Sequence, residues 1–246
     1  MLVSDKVDFI TNWILNYTLK IPAQPVALVI GISGGVDSAV SSTLSAKTGL
    51  KTIAVSMPIK QNPKQHDLSI KHLRWLEKNF SNVTTSVINL DNVFESFKEL
   101  MNSFDNELAF ANSRSRLRMI TLYQIAQYSN GIVVGTGNKI EDFGVGFFTK
   151  YGDGGVDISP LADCTKTDVW KIAEELNILK DIIDAPPTDG LWEDSRNDET
   201  QLGLTYKQIE EAMENSDSQY FKKYNEIRKK NLHKMLPIPV CEIKDK

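Results

Sequence analysis

Cysteine is nearly absent from this chain. Cys164 and Cys241 are the only two in 246 residues, too few for a disulfide framework and without the close spacing of a structural zinc site. Both read as ordinary reduced thiols. Long apolar runs are missing as well. Nothing approaches the ~20 apolar residues that a membrane-crossing helix needs, so no membrane partner is expected. Residues 1–17, MLVSDKVDFITNWILNY, interrupt their apolar periodicity with Asp5 and Asp8 and offer no small-residue cleavage site. They predict an amphipathic first helix rather than a secretion signal, and hence a cytoplasmic protein. A surplus of positive charge is lacking too. With 28 basic against 32 acidic residues the net charge is −4, which gives no bulk electrostatic case for nucleic acid as a partner. Any phosphate binding has to be local.

What is present is a globular composition, 41% hydrophobic, in a length that predicts a single domain over residues 1–246. After Pro22 and Pro25, VALVIGI (26–32) is a continuous apolar run of the kind a buried parallel strand shows. SAVSSTLSAKT (38–48) is helix-compatible and stops at Gly49, and KTIAVSMP (51–58) returns as a strand that Pro58 ends. The alternation continues with a helix from about 65 to 79, a β-rich stretch over 83–90, helices near 91–102 and 109–129, and a fourth strand, GIVVGT (131–136). Leu117, Ile120, Tyr123 and Ile125 supply the expected apolar face of the longest helix. Beyond lie a Gly- and Asp-rich loop (142–157), a helix over 166–176, a Pro-Pro loop (184–199) and helices near 205–214 and 217–231. Strands alternating with helices predict an α/β fold with a doubly wound, Rossmann-like parallel sheet that takes ligands at the carboxyl ends of its strands.

In VIGISGGVDSAV a buried strand runs through Gly31, Ile32, Ser33, Gly34, Gly35, Val36, Asp37 and Ser38 into a helix. Backbone N–H groups, two glycines and a helix N-terminus therefore converge on one point, as an anion cradle requires. Glycines at 34 and 35 allow close approach of a phosphate, the Ser33 and Ser38 hydroxyls can donate to it, and Asp37 puts a carboxylate where Mg²⁺ would bridge phosphates. A plain strand-turn-helix junction with a polar cap is the bland alternative. No lysine follows the glycines and the G-x-G-x-x-G spacing is absent, which turns the reading away from P-loop kinases and dehydrogenases.

Other positions stay open on composition alone. Glu141 follows the fourth strand closely enough to pair with Asp37 across a doubly wound sheet, or is a solvated loop acid. Lys150, Asp153 and Asp157 lie in TKYGDGGVD, whose glycines make a loop that is either mobile or wrapped on a ligand. Arg114, Arg116 and Arg118 form either a basic helix face or a claw for a dinucleotide. Asp189, Glu193, Asp194, Asp198 and Glu199 read as a solvated acidic loop rather than a metal cluster, and Cys164 as a packing residue.

The string SGGVDS resembles the pyrophosphate loop of the ATP pyrophosphatases, the PP-loop superfamily with an adenine nucleotide alpha hydrolase-like fold. GTGNKIEDFGVGFFTKYGDGGVDISPL (135–161) is similar almost throughout to the corresponding stretch of ammonia-dependent NAD synthetases, and thinner likeness extends over about 26–235. The resemblance implies ATP contacts from residues 31–38 and from Met57, Gln65, Thr136, Lys166 and Thr188. It implies deamido-NAD contacts from Arg116, Lys150, Asp153, Asp157, His233 and Lys234. Asp37 and Glu141 would hold Mg²⁺, and with Lys166 would form the catalytic group; a homodimer is implied as well. Two departures stand out: Met57 sits where some relatives carry arginine, and the linker from Glu141 to Lys150 is one residue longer than in others.

The reaction so implied activates the nicotinate carboxylate of deamido-NAD as an acyl-adenylate, releasing pyrophosphate, and then displaces AMP with ammonia. No protein nucleophile is required. A glutamine-using version needs a separate amidase domain, for which 246 residues leave no room, so ammonia is the expected donor. A PP-loop enzyme acting on tRNA or on a GMP-synthetase-like acceptor, and a non-catalytic nucleotide sensor, are the rival readings. The acidic net charge speaks against the tRNA enzyme.

Overall fold

A computed structural model of the chain describes residues 1–188, 191 and 197–243. Its order is α1 (Val3–Lys20), β1 (Ala27–Gly31), α2 (Val36–Lys47), β2 (Lys51–Ser56), α3 (Pro63–Asn79), β3 (Val83–Val87), α4 (Asp91–Leu100), α5 (Glu107–Tyr128) and β4 (Gly131–Val133). A π-helix (Lys139–Val145) follows, then α6 (Lys166–Glu175), α7 (Lys180–Ile183), α8 (Asp198–Leu202), α9 (Tyr206–Glu214) and α10 (Phe221–Met235). The four strands are parallel in the order β3-β2-β1-β4. Strand order reverses between β1 and β4, and a doubly wound sheet opens its ligand crevice at that reversal.

Alternation along β1 sends Leu28 and Ile30 to one face and Val29 to the other, because successive side chains of a strand point opposite ways. The first face is covered by α1, α2, α3 and α6, with Ile14, Leu44, Leu76 and Ile172 fully buried. The second is covered by α4 and α5 through Phe94, Met119 and Leu122. A smaller core joins the π-helix to α9 and α10 through Ile140, Val145, Tyr206 and Ile209.

Local signals explain the boundaries. Asn62 accepts a hydrogen bond from Lys64 N with Pro63 at the first helical position, starting α3 two residues before the apolar pattern does. Thr165 and Asp168 form a reciprocal capping box at α6.

Three sequence expectations are corrected. The buried face of α5 runs through Ala111, Arg114, Ser115, Met119, Leu122 and Ala126, while Ile120 is 65% exposed and Tyr123 38%. Small side chains let α5 lie close to the sheet, and apolarity alone picked the wrong stripe. The expected loop over 142–157 begins inside the π-helix. The π-helix runs from Lys139 to Val145, so the first four residues of that stretch belong to it. The last helix covers 221–235 rather than 217–231.

Candidate active site

The loop after β1 sits at the sheet's carboxyl edge. Gly34 adopts φ +94°, and a Cβ there would lie 2.4 Å from the Gln65 carbonyl oxygen, so glycine is needed for the approach of α3 as well as for the loop's turn. Ser33 Oγ accepts from Gly35 N (3.2 Å) and lies 3.1 Å from Ser38 Oγ, which donates to the Gly35 carbonyl (2.9 Å). Gly35 is the N-cap of α2 and makes no side-chain capping hydrogen bond.

Two cavities flank this loop. The first lies between the ends of β1, β2 and β4 and the apolar floor of Met119 and Leu122. Gly31, Ile32, Met57, Thr136 and Asp153 line it. The second is bounded by Gly35, Val36, Asp37, Glu141, Lys166 and Thr188. Ser33, Ser38 and Thr136 border both, so the two form one crevice pinched at the loop.

In the second cavity Lys166 Nζ donates to Asp37 Oδ2 (2.5 Å) and to Glu141 Oε1 (2.9 Å), with a lysine side chain 3% exposed and carboxylates 17% and 16% exposed. Asn138 fixes the arrangement. Its amide donates to Asp37 Oδ1 (2.9 Å), and its carbonyl oxygen accepts from Ile140 N and Glu141 N at the start of the π-helix. Tyr206 Oη donates to Glu141 Oε1 at 2.6 Å and lies 3.3 Å from Asp198 Oδ2.

The titrations follow from that packing. Burial lowers the proton affinity of the Lys166 amine, yet Asp37 and Glu141 outweigh it and hold the ammonium charged well above the ordinary lysine range. Burial also opposes charge on both acids. At Glu141 the field of Lys166 and hydrogen bonds from Tyr206, Lys166 and Asn138 win, holding its carboxyl below the usual value; at Asp37 burial and the neighbouring Glu141 win and raise it. A hard divalent cation fits two convergent carboxylates of this kind. Among the described residues no group of three or more His, Cys, Asp or Glu is placed to hold a metal, so such an ion would draw its other oxygens from phosphate or water.

The remaining candidates separate. Lys150 Nζ lies 5.5 Å over the Tyr151 ring, outside both cavities. Gln65 accepts from Gln61 and stands behind it; Gln61 and His66 face the first cavity instead. Asp157 accepts from Val133 N (2.7 Å) and Tyr123 Oη (3.0 Å), which ties the loop to the end of β4. Lys234 Nζ donates to the Phe148 carbonyl (2.6 Å), and His233 is exposed on the same helix. The arginines diverge. Arg114 packs over the Phe94 ring at 4.7 Å, Arg116 is exposed with Nε donating to the Lys150 carbonyl, and Arg118 lines the first cavity while donating to Met57 O and Gln61 Oε1.

Asp198 corrects the acidic-loop reading. It is 4% exposed and borders the second cavity, while Asp189, Glu193 and Asp194 lie outside the described residues. Sequence reasoning also missed Tyr206 and Asn138. Asn138 carried a signal, a helix-capping residue just past a strand end and three before the acid; Tyr206, 65 residues from its partner, carried none.

A glycine loop at the switch point of a doubly wound sheet, with two carboxylates and a buried lysine beside a cavity, is the arrangement of a nucleotide-using enzyme. The model of the family described as NAD synthase matches residues 6–244, and the chain belongs to that family of ligases. It is 37% identical over 217 residues to the NH(3)-dependent NAD(+) synthetase of Carboxydothermus hydrogenoformans, covering 84% of this chain and 83% of that one. Among solved structures, an NMN synthetase from Francisella tularensis superposes with a TM-score of 0.90 at 30% identity, over 99% of this chain and 100% of the other. An NH3-dependent NAD synthetase from Campylobacter jejuni matches at 0.80 and 22% identity, over 98% and 100%, and shares the fold.

Proposed function

We propose that this chain uses ATP and ammonia to convert the nicotinate carboxylate of deamido-NAD into the amide of NAD, with AMP and pyrophosphate as the other products. One observation carries this reading: the buried Lys166 ammonium and the Asp37 and Glu141 carboxylates meet beside a phosphate-type loop, next to the first cavity at the strand ends. A carboxylate is inert to ammonia until its oxygen becomes a leaving group, so the chemistry needs charge placement rather than a protein nucleophile.

The nicotinate oxygen attacks the α-phosphorus of ATP, the bond to pyrophosphate breaks, and an acyl-adenylate forms. The loop N–H groups with Ser33 and Ser38 bind the departing pyrophosphate, and Lys166 balances its charge. Asp37 and Glu141 would hold Mg²⁺, which when bound would supply neutralisation of phosphate charge. Ammonia then attacks the acyl carbon, AMP leaves, and the extra proton is lost. Burial raises the Cys164 thiol to about 11, which leaves it poorly suited to act as an amidase nucleophile. The proposed enzyme is cytoplasmic and works as a homodimer, as the family resemblance implies.

A second reading keeps the chemistry and shortens the acceptor to nicotinate mononucleotide. The end-to-end likeness to the Francisella NMN synthetase favours it. Purified protein with ATP, Mg²⁺ and ammonium is offered each nucleotide in turn, and kcat/KM is compared. NAD formed one-for-one with AMP, at the higher kcat/KM, supports the dinucleotide reading. Preference for the mononucleotide selects the second, and AMP formation with neither removes both. Asp37→Asn and Glu141→Gln should each lower kcat by roughly two orders of magnitude or more with unchanged circular dichroism. Full activity in either variant removes the metal assignment.

A further inference from the structure

The point on which the two carboxylates converge is already taken by a cation of the protein's own. Lys166 Nζ is within hydrogen-bond distance of both, its side chain is almost wholly buried, and the Tyr206 ring lies 4.9 Å from it. An ammonium and a divalent metal need the same two oxygens, and like charges exclude each other from one seat. Without a cation there, two carboxylates would face each other in a cavity that burial has already made costly for charge.

We propose that Lys166 is a resident counter-cation that keeps the seat between Asp37 and Glu141 closed to divalent metal until a nucleotide arrives. This rests on the assignment of Asp37 and Glu141 as metal ligands. Lys166 occupies the first position of α6, fixed by the Thr165–Asp168 capping box, so its backbone is anchored while the side chain reaches across the cavity. The second cavity extends from this ammonium to the glycine loop. A triphosphate bound there offers oxygens to which the ammonium can turn, and the carboxylates are released to the incoming cation. Metal and nucleotide therefore bind together rather than in sequence. Lys166 is then a positioning residue for the metal before it is a contact for phosphate.

The test is direct titration with Mn²⁺, followed by electron paramagnetic resonance without nucleotide, on the full chain. Wild type should show no saturable high-affinity site. Lys166→Met should bind one Mn²⁺ per chain at least about tenfold more tightly, the effect of removing one adjacent unit charge. The double variant Asp37→Asn with Lys166→Met should return to wild-type weakness. Should Lys166→Met prove unstable by thermal denaturation, Lys166→Gln keeps a hydrogen-bond donor and carries the same expectation. Equal Mn²⁺ affinity in wild type and a folded Lys166 variant overturns the counter-cation. The underlying ligand assignment is tested apart, with Mn²⁺ and the β,γ-imido analogue of ATP on Asp37→Asn alone. Loss of the bound-metal signal there sustains the ligands, and its retention removes the seat and the counter-cation together.

Discussion

Glu141 owes its ionised state to neighbours from three parts of the chain. Tyr206 is one of them, and its phenol is itself pushed to a higher pKa by burial and by Glu141 and Asp198. Tyr206→Phe keeps the ring and removes the donor, leaving the 2.6 Å partner one hydrogen bond short. A buried bond to a charged group contributes about 1.5–3 kcal/mol, so urea unfolding should show a loss of that order. The sign of the pH effect follows from the carboxylate being the working form. A donor that holds the Glu141 pKa down is lost, the folded-state pKa rises, and the acid limb of kcat against pH moves to higher pH. An unmoved acid limb with the same stability loss would mean that Tyr206 only packs. Asp37 and Glu141 were legible in the sequence because each follows a strand inside a motif, whereas Lys166 entered only through the family resemblance. Tyr206 and Asp198 were not, since the chain between Lys166 and Tyr206 passes through a Pro-Pro loop whose acids read as solvated, and only the packing of α8 and α9 on the π-helix turns them inward.

Helix-to-helix contacts were visible from the sequence where apolar residues made them and hidden where polar ones did. His72 on α3 is fully buried, with Nε2 2.9 Å from Ser42 Oγ on α2 and its ring stacked 5.5 Å from Trp75. Burial lowers its pKa from the ordinary 6.5 to about 4, so the folded protein keeps it neutral while the unfolded chain protonates earlier. The stability it secures is complete above the unfolded value, declines as pH falls from 6.5 toward 4, and levels off below. That depression corresponds to about 3 kcal/mol. Denaturant midpoints at pH 7.5 and 5 should therefore differ clearly in wild type, and His72→Gln, whatever it costs in packing, should shrink that difference. An undiminished difference would move the pH sensitivity to the carboxylates. The misread face of α5 has the same origin: Ala111 and Ser115 bury because they are small enough for close approach, whereas Ile120 and Tyr123, the residues a hydropathy pattern selects, point away from the sheet.

At the scale of the molecule, the alternation of strands and helices forecast the doubly wound sheet, and the observed order β3-β2-β1-β4 puts the loop after β1 at its reversal. What a single-chain pattern does not carry is the surface left over. Ile120, Tyr123 and the 60% exposed Tyr151 border an open groove with Arg116 at its rim, and Arg116 donates to Lys150, two residues the resemblance assigns to the acceptor nucleotide. Arg116 therefore stands on the groove, and neither residue lines the crevice that holds Asp37 and Lys166. A second copy of the chain seated on this groove would cover the exposed apolar side chains and enclose the groove-side residues, as the proposed homodimer requires. Ile120→Glu would then set a carboxylate against an apolar interface. Sedimentation equilibrium should report twice the chain mass for wild type and the single-chain mass for the variant, with KM for the nicotinate nucleotide raised while the thermal unfolding of the isolated chain stays near that of wild type. A variant that remains a dimer with unaltered KM would place the interface on another face and leave Arg116 a solvent-facing arginine.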